Sequence, residues 1–204
     1  MAESADEVYA RVVGAVGPEG RLPMPDYGGW DIFPWDVADG KVAPRVLQPP
    51  SDEAPREGEG DRPCHACDGF PAEKVVWEDE NWVLTHRGQP SGLPLVLMLN
   101  SREHLDFGDL DDDLASEYGR IANRLVLDDP HQPHIGRVHV QRIGDGGAHL
   151  HIWFIARTHR LTNVLGSPAI EWDDILPPGP EDVWRDDLHT VATKLANWGG
   201  TARA

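Results

Sequence analysis

The sequence predicts an α+β fold, an antiparallel β-sheet with helices packed on it. Three observations carry the prediction. Short β-rich runs follow one another between Val75 and Leu99 with tight turns between them. One amphipathic segment, residues 111–127, is inserted before a last pair of β-rich runs at 137–142 and 149–157. Both ends of the chain carry a helical period of their own.

In chain order, residues 3–16 read as a helix with a capping box at Ser4-Ala5-Asp6-Glu7 and a stripe of Val8, Val12 and Val16. From Gly17 to about Arg62 there is little periodicity and much Pro, Gly and acid. The aromatic cluster Trp30-Asp31-Ile32-Phe33-Pro34-Trp35 implies that this piece packs on something, covering a pocket or capping the sheet. Residues 51–61 read as a solvated loop. Val75-Val76-Trp77 and residues 81–86 read as strands joined by Glu78-Asp79-Glu80, and Leu93 to Leu99 as a strand covered on both faces. Residues 111–127 form a helix with aspartates in its first turn and a buried stripe of Leu114, Tyr118, Ile121 and Leu125. Arg137 to Arg142 is the next strand. Residues 158–178 look irregular, and a final helix runs from near Pro180 to Gly199-Gly200, docking through Trp184, Leu188, Val191, Leu195 and Trp198. The organisation expected is an N-terminal extension over 1–62, a central domain over 63–160 and a C-terminal extension over 161–204.

At 204 residues one domain with extensions is the better prior. No apolar run approaches the ~20 residues that span a bilayer, and the N-terminus lacks a basic-then-apolar leader pattern, so a cytoplasmic protein is expected. A formal charge of −17 argues against nucleic acid as the main partner, because phosphate neutralisation needs a basic face. A small phosphorylated ligand in a local basic pocket is compatible with it. The two cysteines, in Cys64-His65-Ala66-Cys67, exclude a disulfide framework by count. They leave a redox pair, half a zinc site or a chance spacing.

The most informative stretch is Gly144 to Arg157. A turn containing Asp145, Gly146 and Gly147 runs into an apolar β-rich segment with two histidines two residues apart. On a strand, His149, His151, Trp153 and Ile155 share one face, and the two imidazoles stand about 6–7 Å apart. In chain order Cys64, Cys67, His104 and His149 compose a Cys₂His₂ set, which zinc accepts in tetrahedral geometry with no open position, although composition alone does not pick these two histidines from ten.

Taken together, strand, strand, apolar strand ending near a His, amphipathic helix, strand and His-x-His resemble the histidine-triad superfamily. Its motif is His-φ-His-φ-His-φ-φ with φ apolar; here the chain reads His149-Leu150-His151-Ile152-Trp153-Phe154-Ile155. The resemblance covers about Cys64 to Arg157 and implies a HIT-like antiparallel sheet. It is nearest in zinc pattern to the galactose-1-phosphate uridylyltransferase-like branch, which implies a structural zinc on Cys64, Cys67, His104 and His149. His151 corresponds to the family's nucleophile, an imidazole that attacks the α-phosphorus of a nucleotide and forms a nucleotidyl-histidine. The resemblance thus implies a nucleotide hydrolase or nucleotidyltransferase acting on a small nucleotide or nucleotide conjugate. Dimers are common in the family, which implies a homodimer.

Two departures stand out. Trp153 occupies the third histidine's place, and Asp145 and Gly146 stand where many members carry Gln and Ser or Thr. Backbone N–H groups of Gly146 and Gly147 would cradle phosphate, and Asp145 would hold a ribose hydroxyl or a cation. Arg142 and Arg157, with Arg160, would supply positive charge. Trp153 would stack on a base or pack in the core, and Asn100 and Arg102 are weaker candidates. His65, His139 and His159 receive no role. Two competing readings remain: a non-catalytic nucleotide-binding protein that keeps fold and zinc, and a catalytic metal on His149 and His151. The lack of a regularly spaced acid after that pair counts against the second.

Overall fold

The computed structural model describes residues 2–24, 33–126 and 132–204; Trp30 lies outside the described residues. Helix α1 spans Ala5–Ala15. Its start is the expected capping box: the Ser4 hydroxyl accepts the Glu7 N–H at 3.3 Å, and the Glu7 carboxylate accepts the Ser4 N–H at 2.7 Å. Val8 is buried, and Arg11 reaches the Pro177 carbonyl, tying α1 to the C-terminal part of the chain.

Strands β1 (Trp35–Ala38) and β2 (Lys41–Pro44) form an antiparallel hairpin that the sequence reading missed. The signal was Asp39-Gly40, both at positive φ (51° and 72°), as a tight two-residue turn demands. The expectation of a packed aromatic piece is not met at Trp35, the one tryptophan of the cluster among the described residues. Trp35 is half exposed, with its ring 5.9 Å from that of Phe33, and Val37 and Val42 face outward.

The main sheet is built from β3 (Val75–Glu78), β4 (Trp82–His86), β5 (Leu95–Ser101), β6 (Ile135–Gln141), β7 (His151–Thr158) and β8 (Thr201–Ala202). Their order is β6-β7-β5-β4-β3-β8, antiparallel throughout. Asp79 closes the turn between β3 and β4 by accepting the N–H groups of Asn81 and Trp82 at 2.9 and 2.8 Å. Helices α2 (Asp112–Val126), α3 (Ala169–Ile175) and α4 (Glu181–Ala196), with 3₁₀ turns at Ala72–Lys74 and Phe107–Asp109, complete the described elements. Helix α3 falls in the stretch read as irregular, where seven residues are too few to show a period.

Period-two alternation sorts the strands into two faces. Trp82 and Leu84, Leu97 and Leu99, and Leu150, Ile152 and Phe154 pack with Ile121 of α2 and with Trp184, Leu188, Val191 and Leu195 of α4. The opposite face is covered at one end only, where Val96 and Ile155 meet Leu93, Val164, Ala169 and Leu176. Its other end is open. Trp198 departs from the expected stripe: the helix stops at Ala196, and the indole is exposed beneath the Arg124 guanidinium at 4.6 Å. The chain instead turns into β8, at Gly200 (φ 73°), where a Cβ would meet the Trp77 ring at 2.5 Å. Among the described residues no helix is long and apolar enough to cross a membrane.

Candidate metal centre and adjoining cavity

Cys64, Cys67, His104 and His149 converge so that their four ligand atoms lie within 4.8 Å of one another. Cys64 Sγ is 3.4 Å and Cys67 Sγ 3.5 Å from His149 Nδ1, and Cys67 Sγ is 3.2 Å from His104 Nδ1. Tetrahedral zinc with bonds of about 2.0–2.3 Å needs ligand separations of roughly 3.3–3.8 Å. The donor set and its dimensions both suit zinc, held structurally because all four positions are protein ligands.

His149 is buried, and its Nε2 hydrogen is donated to the Ser101 carbonyl at 2.8 Å. That bond leaves Nδ1 free as a ligand atom, the usual outer-shell arrangement for a metal-binding histidine. Burial, the largest cause, lowers the His149 pKa and favours the neutral ring that coordination requires. Without metal, the Cys67 thiol is pushed up to about 11, chiefly by its hydrogen bond with Cys64. Two crowded thiols of this kind release protons on binding a dication.

In the loop over 51–61, expected to be solvated, residues 51–55 and 60–61 are exposed, whereas residues 56–59 pack beside this centre. Glu57 donates its N–H to the Gly146 carbonyl at 3.0 Å and accepts the Ala148 N–H at 2.9 Å, forming a bridge alongside Gly147. Arg56 donates to Asp106 at 2.8 Å and to the Gly144 carbonyl at 3.0 Å. Gly58, at φ +82°, lies against two ligands: a Cβ there would stand 2.7 Å from His104 Cε1 and 3.3 Å from Cys64 Cβ. Gly58→Ala is therefore expected to lower zinc affinity about tenfold or more in a chelator competition. Gly60→Ala is the control, sharing the positive φ (56°) with nothing within 4 Å of its Cβ. Equal zinc affinities for the two variants would refute the crowding argument.

Beside the centre, the open end of the sheet forms the floor of a cavity of about 620 Å³. Thr85 of β4, Met98 and Asn100 of β5, and His151 and Trp153 of β7 line it, since Asn100 pairs with His151 and Met98 with Trp153. Gly146, Gly147, Glu57 and the His65–Pro71 segment close one side, and Lys74, His86 and Arg87 line it where β4 ends.

Strand β7 begins at His151, so His149 is not on the strand with it. The two histidines are connected in another way. His151 Nδ1 is 2.9 Å from the His149 carbonyl oxygen. A hydrogen donated there leaves Nε2 with its lone pair free. Gly147 lies over the same ring, with a Cβ position 3.6 Å from His151 Cε1.

Of the residues expected to bind substrate, Gly146, Gly147 and Trp153 line this cavity; Arg142, Asp145 and Arg157 do not. Arg142 is paired with Asp106, and Asp145 is exposed. Arg157 lies six residues beyond His151, about 20 Å along the strand. Arg160 points to Asp6, and Arg102 pairs with Glu78. Asn100 is buried in the floor, donating to Thr85 Oγ1 at 3.1 Å. The Trp153 indole nitrogen is buried without a partner among the described residues, as is His139 Nε2. Lys74, Thr85, Arg87 and Glu57 were not foreseen. Thr85 and Arg87 continue the alternation that starts at Val83, and that count was the signal available.

No known family model matches the chain, and no curated protein matches it. Solved structures similar to it include the following two. One is a zinc-bound histidine triad family protein from Mycobacterium smegmatis, with 15% identity over 66% of this chain and 94% of that one, and a TM-score of 0.47. The other is a hypothetical histidine triad nucleotide-binding protein from Sulfolobus tokodaii, with 15% identity over 61% and 84% and a TM-score of 0.42.

Proposed function

We propose that this protein is a zinc-containing nucleotide hydrolase or nucleotidyltransferase of the histidine-triad kind, with His151 as its nucleophile. The observation that carries the reading is the 2.9 Å contact of His151 Nδ1 with the His149 carbonyl. It favours the tautomer in which Nε2 has a lone pair, on the wall of a cavity large enough for a nucleotide. In the first step Nε2 forms a bond to the α-phosphorus, and the bond from phosphorus to the leaving group breaks. The leaving group departs with the electron pair and takes a proton from solvent. Water or another acceptor then attacks the phosphorus, releases the nucleotidyl group and returns the neutral imidazole.

The backbone N–H groups of Gly146 and Gly147 are the proposed phosphate cradle, because both residues line the cavity and Gly147 lies over the His151 ring. Zinc's part is to fix His149, and through its carbonyl the orientation of His151. Trp153 supports a second reading, a nucleotide-binding protein without turnover. Its indole N–H is buried and cannot pass a proton to a leaving group.

Trapping decides between them. Brief incubation with a radiolabelled nucleoside 5′-phosphoramidate, followed by alkaline denaturation, should leave label on His151, an acid-labile phosphorus–nitrogen adduct. Tight binding of nucleotide with neither adduct nor turnover would establish the second reading in its place.

A further inference from the structure

Lys74 and Arg87 are the two Lys or Arg residues among those lining the cavity, and both lie where β4 ends. They stand apart from the glycine turn and from Glu57, whose carboxylate accepts the His65 N–H at 2.9 Å. In a chain of net charge −17, these two cations mark one end of the cavity, with Arg87 offset by its pairing to Asp173 and Asp174 and Lys74 as the uncompensated charge among the described residues.

The two are brought together by packing. The Lys74 stem ends beside Gly88, where a Cβ would be 3.4 Å from Lys74 Cε, and Gly88 directly follows Arg87. Lys74 forms no ion pair among the described residues. Arg87 is held in place through one nitrogen, Nη1, which donates to Asp173 at 2.8 Å and lies 3.4 Å from Asp174. The Asp173 side chain is fully buried and also accepts the Leu93 N–H at 3.1 Å. An arginine anchored this way still has its remaining N–H groups for a ligand.

The sheet sets the separation from His151. Thr85 is opposite Met98, and Met98 opposite Trp153, so Arg87 lies one pleat repeat beyond that row and His151 one repeat before it. Two repeats along and two strands across put the backbones roughly 16 Å apart. That is too far for a phosphate bonded next to the one under attack. It fits an anion at the far end of the substrate.

We infer that Lys74 and Arg87 form a second oxyanion subsite, selecting substrates that carry a phosphate or carboxylate remote from the reacting phosphorus. The inference rests on the reading of His151 as the residue that meets that phosphorus. Two sources of the oxyanion are distinguishable: a phosphate on the sugar, or a carboxylate on the group attached at phosphorus.

Calorimetry on His151→Ala protein measures binding without turnover. One arm compares a nucleoside 3′,5′-bisphosphate with the 5′-monophosphate. The other compares the 5′-phosphoramidate of γ-aminobutyrate with that of γ-aminobutyramide, where an amide replaces the single carboxylate. The expected result is about tenfold tighter binding of the more anionic ligand in at least one arm. Lys74 is exposed, so Lys74→Gln and Lys74→Glu should fold, the first shrinking that preference and the second abolishing it. Equal affinities in both arms, or an undiminished preference in Lys74→Glu, overturns the subsite. In the first case, with the monophosphate still bound, the nucleotide reading stands without it. Binding of no nucleotide overturns both.

Discussion

Replacing Cys67 by serine is expected to empty the metal centre and lower the melting temperature by about 10 °C or more. Three observations set the size of the effect. Cys67 Sγ contacts both histidine ligands, so its loss leaves no tetrahedral set. His149 is buried, and without metal its Nδ1 has no strong partner. The centre also joins the loop carrying the cysteines to the end of β5 and the start of β7. A few kcal/mol of linked metal binding corresponds to a shift of this order in a chain of 204 residues. Metal analysis should show about one zinc per chain in the unmodified protein and none in the variant. Calorimetric scans of the two, and of chelator-treated protein, supply the comparison. Identical melting with and without metal would mean that the centre is not structural.

His151→Ala should lower turnover of nucleoside phosphoramidates, uridylyl sugars or dinucleoside polyphosphates by roughly 10³-fold or more, because no other group inherits a nucleophile's role. Zinc content and melting should stay close to those of the unmodified protein, since His151 is half-buried on the cavity wall and outside the ligand set. Steady-state kinetics beside metal analysis separates the two roles of the histidine pair. Activity retained in His151→Ala would remove the assignment of His151 as nucleophile.

Much of the fold was legible because it obeys local rules. The Ser4–Glu7 box starts α1, and the stripe of Leu114, Tyr118, Ile121 and Leu125 packs α2 on the sheet as expected. The apolar run from Leu93 placed β5, although the strand extends through Asn100 and Ser101 because backbone pairing with Trp82 and Val83 does not stop at polar residues. The pieces that were missed are set by distant contacts. Nothing local in residues 51–61 announces that Glu57 will pair beside Gly147. Arg142 and Arg157 looked available for phosphate because sequence spacing does not reveal that Asp106 already holds one or how far along β7 the other lies. Lys74 and Arg87 join one cavity only once β3 and β4 are side by side. The metal quartet was legible for the opposite reason. The two cysteines stand out by their spacing, and the resemblance to the His-φ-His motif selected His104 and His149 from ten histidines.

The bridge between Glu57 and Gly147 joins residues 90 positions apart, and a thiol–imidazole contact of the centre joins Cys64 to His149, 85 apart. Closing so long a loop costs entropy that nearby contacts do not repay early in folding. The four ligands are therefore expected to come together after β4, β5 and β7 have paired, so that the ion enters a site the sheet has already assembled. Once bound, it restrains the open chain as a cross-link would, holding residues 64 and 149 together in any state that keeps the metal. Local opening elsewhere, at α1 or the β1–β2 hairpin, leaves this closure untouched. The protein is thus expected to lose α1 and its hairpin to a protease well before it loses its metal.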